Sequence, residues 1–130
     1  MDPQHRFLLE CAYEAMESAG IPREYMAGRS VGVFMGGNFA DYESNNMRDT
    51  ETTPMFQATG CAPGLKANRI SYMFDLKGPS LTVDTACSSS LVALHTAVQS
   101  LRNGESTEAL VGGCHLLLNP ENSISMSMQQ

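Results

Sequence analysis

The stretch that decides the fold is S-L-T-V-D-T-A-C-S-S-S-L-V-A-L, residues 80–94 of a 130-residue chain. Its first part alternates apolar and polar residues, which predicts a β-strand over residues 80–85. Its second part begins a helical spacing of apolar residues that continues to about residue 103, where a glycine follows. A strand that turns directly into a helix is typical of α/β proteins, and here the turn carries Cys87.

The segments on both sides continue the alternation of helices and strands. The spacing predicts, in chain order, a helix over 2–19, a strand over 31–35, a polar loop over 38–60, a helix over 63–74 and a strand over 109–118. The strand over 31–35 is apolar on both faces, which is typical of a sheet covered by helices on both sides. The glycine pairs at 36–37 and 112–113 are interpreted as close-packing positions at strand ends. We therefore predict one α/β layered domain over residues 1–130.

Composition and charge exclude several classes of function. The net charge is −6 and the eight basic residues are scattered singly, so nucleic acid is not an expected partner. No apolar run approaches the roughly 20 residues that cross a bilayer, and the first residues contain no secretory signal, so no membrane association is expected. Charged residues make up 17% of the chain, against about 25% in typical soluble domains. The low charge predicts an internal fragment that buries some of its surface against further protein.

The cysteines and histidines do not form a metal-binding pattern. The four cysteines contain no Cys-x-x-Cys pair, and with the three histidines they match no zinc spacing. We therefore expect reduced thiols in a cytoplasmic protein, with no metal and no directly bound cofactor. Cys11 and Cys114 are interpreted as core residues, and Cys61, at a loop–helix boundary, as mainly structural.

Cys87 has the sequence setting of a nucleophile. The small residues around it, Ala86 and Ser88 to Ser90, allow a tight turn and leave the sulfur accessible. Free N–H groups and the helix dipole at the start of a helix favour a thiolate, and they stabilise the oxyanion that forms when a thioester is attacked. By themselves these residues leave two interpretations open, a nucleophile and a buried inert cysteine.

No histidine is placed by the sequence to act as a base for Cys87. His95 lies eight residues further along the same helix, about 12 Å away along the axis, and is interpreted as a packed histidine. His5 and His115 are distant from Cys87 in the sequence, and their positions are not predicted.

The segment D-T-A-C-S-S-S-L at 84–91 resembles the active-site signature of the β-ketoacyl synthase domains of type I polyketide and fatty acid synthases. Further motifs are similar to that family and lie in its order: M-D-P-Q-H-R at 1–6, A-N-R-I-S-Y at 67–72, D-L-K-G-P-S at 75–80 and A-L-V-G-G-C at 109–114. The resemblance covers essentially the whole chain. The sequences at 75–80 and 116–119 are most similar to iterative, reducing polyketide synthases of the fungal type.

The resemblance implies a thiolase-like fold, a layered α/β sandwich of two similar halves, with this chain as part of the N-terminal half. It also implies that Cys87 accepts an acyl chain from the phosphopantetheine arm of an acyl carrier protein. A malonyl-type extender would then undergo decarboxylative condensation with that chain, and the backbone N–H of Cys87 would supply one oxyanion donor. The parent enzyme would be a homodimer, with the strand before Cys87 and residues 67–72 at or near its interface.

The sequence departs from the family in its missing catalytic histidines. The family carries them downstream of the cysteine in His-Gly-Thr-Gly-Thr and Asn-x-Gly-His motifs, together with a lysine, and neither motif occurs before Gln130. His95 and His115 stand in neither motif and are not assigned these roles. We therefore expect the chain alone to be inactive and poorly folded. The alternatives are a fatty acid synthase condensing domain, a non-catalytic module for carrier-protein docking and dimerisation, and an unrelated α/β domain with a buried Cys87.

Overall fold

The computed structural model describes residues 1–37 and 40–129 of the chain. Within these residues the helices and strands are α1 Pro3–Ser18, α2 Arg23–Met26, β1 Val31–Gly36, α3 Asp41–Asn46, α4 Gln57–Cys61, α5 Leu65–Met73, β2 Ser80–Val83, α6 Ser89–Arg102, β3 Glu108–Gly113 and α7 Glu121–Ser127. The elements α1, β1, α5, β2 and α6 confirm the predicted helices and strands, with ends that differ by a few residues. The predicted α/β layered architecture is therefore confirmed.

The described strands form a parallel sheet in the order β2-β1-β3. Gly36 at the end of β1 pairs with Val83 of β2 and with Gly113 of β3, so the three strands end level at one edge of the sheet. The central strand β1 is buried over its whole length, as its two apolar faces predict. Parallel strands need crossover connections, and these contain α5 between β1 and β2 and α6 between β2 and β3.

The core lies on both faces of β1, because successive side chains of a strand point to opposite sides. On one face, Val33 and Met35 belong to the larger apolar cluster, which they share with α1 and α5. On the other face, Phe34 packs with Ala93 and Ala97 of α6. The small alanine side chains let α6 approach the sheet closely, and this packing fixes the position of the turn that precedes the helix.

The predicted strand over 109–118 is wrong in its second half, because β3 ends at Gly113. Leu118 lies exposed rather than within the sheet. The backbone N–H groups of Leu118 and Asn119 donate to the carboxylate of Asp41, at 3.0 and 3.2 Å. Because the carboxylate satisfies donors that a strand would use for its ladder, the apolar run is able to leave the sheet.

In the described residues, four helices lie outside the elements that the sequence predicts, namely α2, α3, α4 and α7. The predicted polar loop over 38–60 contains α3 and α4, while Asn38 and Phe39 lie outside the described residues. The sequence does not predict α7, since this helix buries no side chain and has no apolar period. No helix in the described part of the chain is long and apolar enough to span a membrane.

Candidate active site

The turn between β2 and α6 has a strained backbone conformation. Ala86 has a φ of 54°, in the left-handed region that costs a residue with a side chain about 1–2 kcal/mol. The Asp84 carboxylate accepts a hydrogen bond from the Ala86 N–H at 3.1 Å, and the Ser89 hydroxyl accepts one from the Thr85 N–H at 2.9 Å. The Ser89 hydroxyl also donates to the Ala86 carbonyl at 2.6 Å. These short polar side chains offset the strain and hold a sharp turn from strand to helix.

The turn presents Cys87 with an exposed side chain, two residues before the start of α6. No described residue accepts a hydrogen bond from the backbone N–H of Cys87. The helix is 14 residues long, and its dipole places partial positive charge at this end. A free N–H and a helix N-terminus together stabilise an oxyanion that forms beside them during a reaction. The exposed thiol argues against the interpretation of Cys87 as a buried inert cysteine.

Two glycines at strand ends allow α6 to begin this close to the sheet. A Cβ placed on Gly36 of β1 would lie 2.6 Å from the carbonyl carbon of Ser89 and from the amide nitrogen of Ser90. A Cβ on Gly113 of β3 would lie 3.0 Å from the Cβ of Ser90. A side chain at Gly36 would therefore displace the first turn of α6. The interpretation of these glycines as close-packing positions is confirmed.

Cys87 lies in a cavity of about 520 Å³ at this edge of the sheet. The walls come from the ends of β1 and β3, the turn before α6, the first turn of α6, and α7. The lining residues are Gly36, Gly37, Ala86, Cys87, Ser89, Ser90, Gly113, Cys114, His115 and Met126. Volumes of this order hold small organic ligands in other proteins.

Among the described histidines, His115 is the one that lines this cavity, and the sequence does not predict its position. It lies two residues after Gly113, which meets the first turn of α6. No local signal in the sequence gives this position, because it depends on where β3 ends beside β1. His95 is exposed further along α6, so its interpretation as a packed histidine is wrong. His5 is buried on α1, and neither of these histidines lines the cavity.

Burial raises the pKa of two other thiols. Desolvation raises the pKa of Cys61, against the opposing effect of a hydrogen bond from Asn46. Burial also raises the pKa of Cys114, against the opposing charge of Lys66. Both thiols are therefore held in the protonated, unreactive form. Cys114 packs against the larger apolar cluster, but it is half-buried and lines the Cys87 cavity, so its prediction as a core residue is met only in part.

The predicted core position of Cys11 is wrong, because its side chain is exposed. The buried side of α1 advances in steps of four residues through Leu8, Ala12 and Met16, and this narrow stripe leaves Cys11 outside. In the described residues, no group of three or more His, Cys, Asp or Glu side chains is arranged to hold a metal ion.

The amino-acid sequence matches a known family over its whole length. The sequence profile of the β-ketoacyl synthase N-terminal domain matches residues 1–130. The chain belongs to the β-ketoacyl synthase family. The match confirms the resemblance seen around Cys87, and the alternative of an unrelated α/β domain is wrong.

This ketosynthase chain is similar to much longer fungal synthases. Highly-reducing polyketide synthase 1 of Aureobasidium melanogenum is 62% identical to it, over 100% of the chain and 6% of the relative. Lovastatin diketide synthase of Aspergillus terreus is 51% identical, over 98% of the chain and 5% of the relative. The chain therefore spans only 5–6% of the length of these relatives. These similarities confirm the predicted closeness to reducing polyketide synthases of the fungal type.

A solved bacterial ketosynthase has the same fold over the matched residues. The ketosynthase from module 6 of the bacillaene synthase of Bacillus subtilis 168 superposes with a TM-score of 0.86 at 40% sequence identity. The match covers 99% of this chain and 21% of that chain. The predicted fold, part of the N-terminal half of a thiolase-like α/β sandwich, is thereby confirmed.

Proposed function

We propose that this chain carries the nucleophile of a β-ketoacyl synthase domain in a reducing polyketide synthase, and that Cys87 accepts the growing acyl chain. The observation that supports this most directly is the exposed Cys87 thiol at the start of α6, on a cavity of about 520 Å³. The structure describes all four cysteines. Cys61 is buried, Cys114 is half-buried, and Cys11 is exposed but does not line the cavity.

The first step of the proposed reaction transfers an acyl group between two sulfur atoms. The Cys87 thiolate attacks the carbonyl carbon of an acyl thioester on the phosphopantetheine arm of an acyl carrier protein. The carbonyl oxygen becomes an oxyanion, to which the backbone N–H of Cys87 donates a hydrogen bond. The carbon–sulfur bond to the phosphopantetheine then breaks, its thiolate leaves, and the acyl chain remains as a thioester on Cys87.

The second step forms the new carbon–carbon bond. A malonyl-type extender loses carbon dioxide, and the resulting carbanion attacks the carbonyl carbon of the Cys87 thioester. The bond from that carbon to sulfur breaks, which returns Cys87 to the thiolate. Residues 1–130 contain neither histidine motif that the family uses for decarboxylation, and we do not assign His115 to that role. The proposal places these histidines in a segment of the same protein that follows Gln130.

The exposed apolar side chains support a larger assembly. Tyr72 of α5 is 90% exposed, Leu81 of the edge strand β2 is 45% exposed, and Leu91 of α6 is 69% exposed. Large apolar side chains exposed on neighbouring elements favour surfaces that other protein covers. We infer that β2 and residues 67–72 lie at the interface of a homodimer, and that the rest of the domain covers α6.

The first test is the coding sequence beyond Gln130. The proposal expects it to continue into the His-Gly-Thr-Gly-Thr and Asn-x-Gly-His motifs within the same reading frame. A stop codon shortly after Gln130 would leave a chain with a nucleophile and no means of decarboxylation. That result would refute the condensing activity and favour a module for carrier-protein docking and dimerisation.

The second test is acyl loading of the full-length protein. An octanoyl thioester should add one octanoyl group to the unmutated protein, at a peptide that contains Cys87, as read by mass spectrometry. Cys87→Ala should abolish the loading. Cys11→Ala is the matched control, since it removes another exposed thiol and should leave loading unchanged. Equal loading of Cys87→Ala and the unmutated protein would refute the nucleophile assignment.

A further inference from the structure

The part of the Cys87 cavity wall that α7 forms has little apolar support. The cavity is lined by Cys114 and His115 after β3 and by Met126 of α7. No residue of α7 is buried, and Met126 itself is exposed. Because apolar burial normally holds a helix in place, another interaction must fix this wall relative to Cys87.

A buried carboxylate on α3 supplies that interaction. Asp41 is only 7% exposed. Its Oδ2 accepts hydrogen bonds from the backbone N–H groups of Leu118 and Asn119 at 3.0 and 3.2 Å. Its Oδ1 accepts a third from the Asn122 side-chain amide at 3.4 Å. One carboxylate therefore links α3 to both the segment after β3 and the first turn of α7.

A second polar contact reinforces the same link. Asn45 of α3 and Asn119 form two reciprocal hydrogen bonds between their side-chain amides, at 2.8 and 2.9 Å. An exposed ion pair between Arg48 and Glu121 also joins the two segments, but exposed pairs contribute little to stability. Hydrogen bonds to a buried carboxylate are stronger and more directional, so Asp41 is the centre of this contact.

We propose that Asp41 is a positioning residue that fixes the wall formed by His115 and Met126 and so determines how a long acyl chain is held on Cys87. This inference rests on the proposed function of Cys87. Asp41 does not line the cavity, so it acts through the backbone of residues 118–119. If its carboxylate is removed, two backbone N–H groups lose their acceptor and the wall is held less firmly.

The test compares two acyl donors of different length on the full-length protein. Asp41→Ala should slow acylation of Cys87 by the octanoyl thioester of N-acetylcysteamine about 10-fold or more. Acylation by the acetyl thioester, whose short chain stays near the sulfur, should change less than about 3-fold. Alkylation of Cys87 by iodoacetamide reports on the turn before α6 and should be unchanged. Asp41→Asn should restore much of the octanoyl rate, because its amide oxygen can still accept from the two backbone N–H groups.

Glu43→Ala is the matched control, because Glu43 lies on the same helix and its side chain has no hydrogen bond or ion pair with the described wall residues 114–127. A selective loss with the octanoyl donor, restored by asparagine, supports the role of Asp41. An equal loss in all three reactions shows a purely structural effect and overturns the inference, as does no loss in any of them. No acylation of the unmutated protein would instead refute the proposed function, and this inference with it.

Discussion

Replacing Gly36 with alanine tests whether the site depends on the close approach of α6 to the end of β1. Gly36 does not have a positive φ, so alanine meets no backbone strain and only space opposes the new methyl group. Its Cβ would lie 2.6 Å from two backbone atoms and 2.9 Å from a third, all in Ser89 and Ser90. Since these atoms belong to the main chain and cannot rotate away, the helix start or the strand end must move.

The size of the movement follows from ordinary contact distances. The shortest ordinary contact of a Cβ is 3.4 Å, which is 0.8 Å longer than the 2.6 Å available. Overpacking of this kind costs about 1–3 kcal/mol, so we expect Gly36→Ala to lower the free energy of unfolding by about 2 kcal/mol. A shift of nearly 1 Å also moves Cys87 and its N–H relative to the cavity, and a misplacement of that size can slow a reaction up to about 100-fold.

The assay measures both effects in the full-length protein, by thermal unfolding and by the rate of Cys87 acylation with an octanoyl thioester. Gly64→Ala is the matched control, because a Cβ on Gly64 would meet no atom within 4 Å. Only Gly36→Ala should melt at a lower temperature and acylate more slowly. Equal stability and equal acylation of the two variants would refute the steric reasoning.

Three further predictions concern stability of the same full-length protein. Ala86→Val should be about 1–2 kcal/mol less stable than Ala86→Gly in urea unfolding, because valine tolerates the left-handed φ of 54° poorly; equal stability would show that the turn is not strained. Lys66 is buried, and its ammonium has no hydrogen-bond partner among the described residues. Lys66→Met removes this buried charge and should raise the free energy of unfolding by about 1–3 kcal/mol. A destabilised variant would contradict this. Burial lowers the pKa of His5 below its ordinary 6.5, against the opposing charge of Asp2. The unfolded chain therefore binds the proton more readily, and the contribution of His5 to stability is present above pH 6.5 and lost as the pH falls below it. His5→Gln should flatten this acid-side loss of melting temperature, whereas His95→Gln, at an exposed site, should not.

The elements that the sequence predicts are those whose signals are local. α1 begins at a side-chain cap, with the Asp2 carboxylate accepting from the Gln4 N–H at 2.8 Å, and it ends before Gly20, whose φ is 68°. Each of these signals lies within a few residues of the helix end that it determines. The signal for the turn at Cys87 is equally local, because the strand pattern, the small residues and the helical spacing follow one another directly in the chain.

The elements that the sequence does not predict depend on contacts between distant segments. The apolar run that ends at Leu118 has the composition of a strand. Its last residue does not join the sheet, because the backbone N–H of Leu118 donates to the carboxylate of Asp41. The exposure of Cys11 depends on how narrow the buried stripe of α1 is, and the width of that stripe is set by what α1 packs against. The position of His115 at the cavity depends on the register of β3 against β1. None of these quantities is encoded in a local period.

The signature around Cys87 does not make a site by itself, because the site also depends on contacts between distant segments. Residues 84–91 determine the turn, but a sharp turn alone would not place the sulfur at a cavity. The absence of side chains at Gly36 and Gly113 lets the first turn of α6 reach the strand ends. The segment that is hydrogen-bonded to Asp41 contributes His115 and Met126 to the same cavity. A chain with the same eight residues and a side chain at position 36 would keep the nucleophile and lose its geometry.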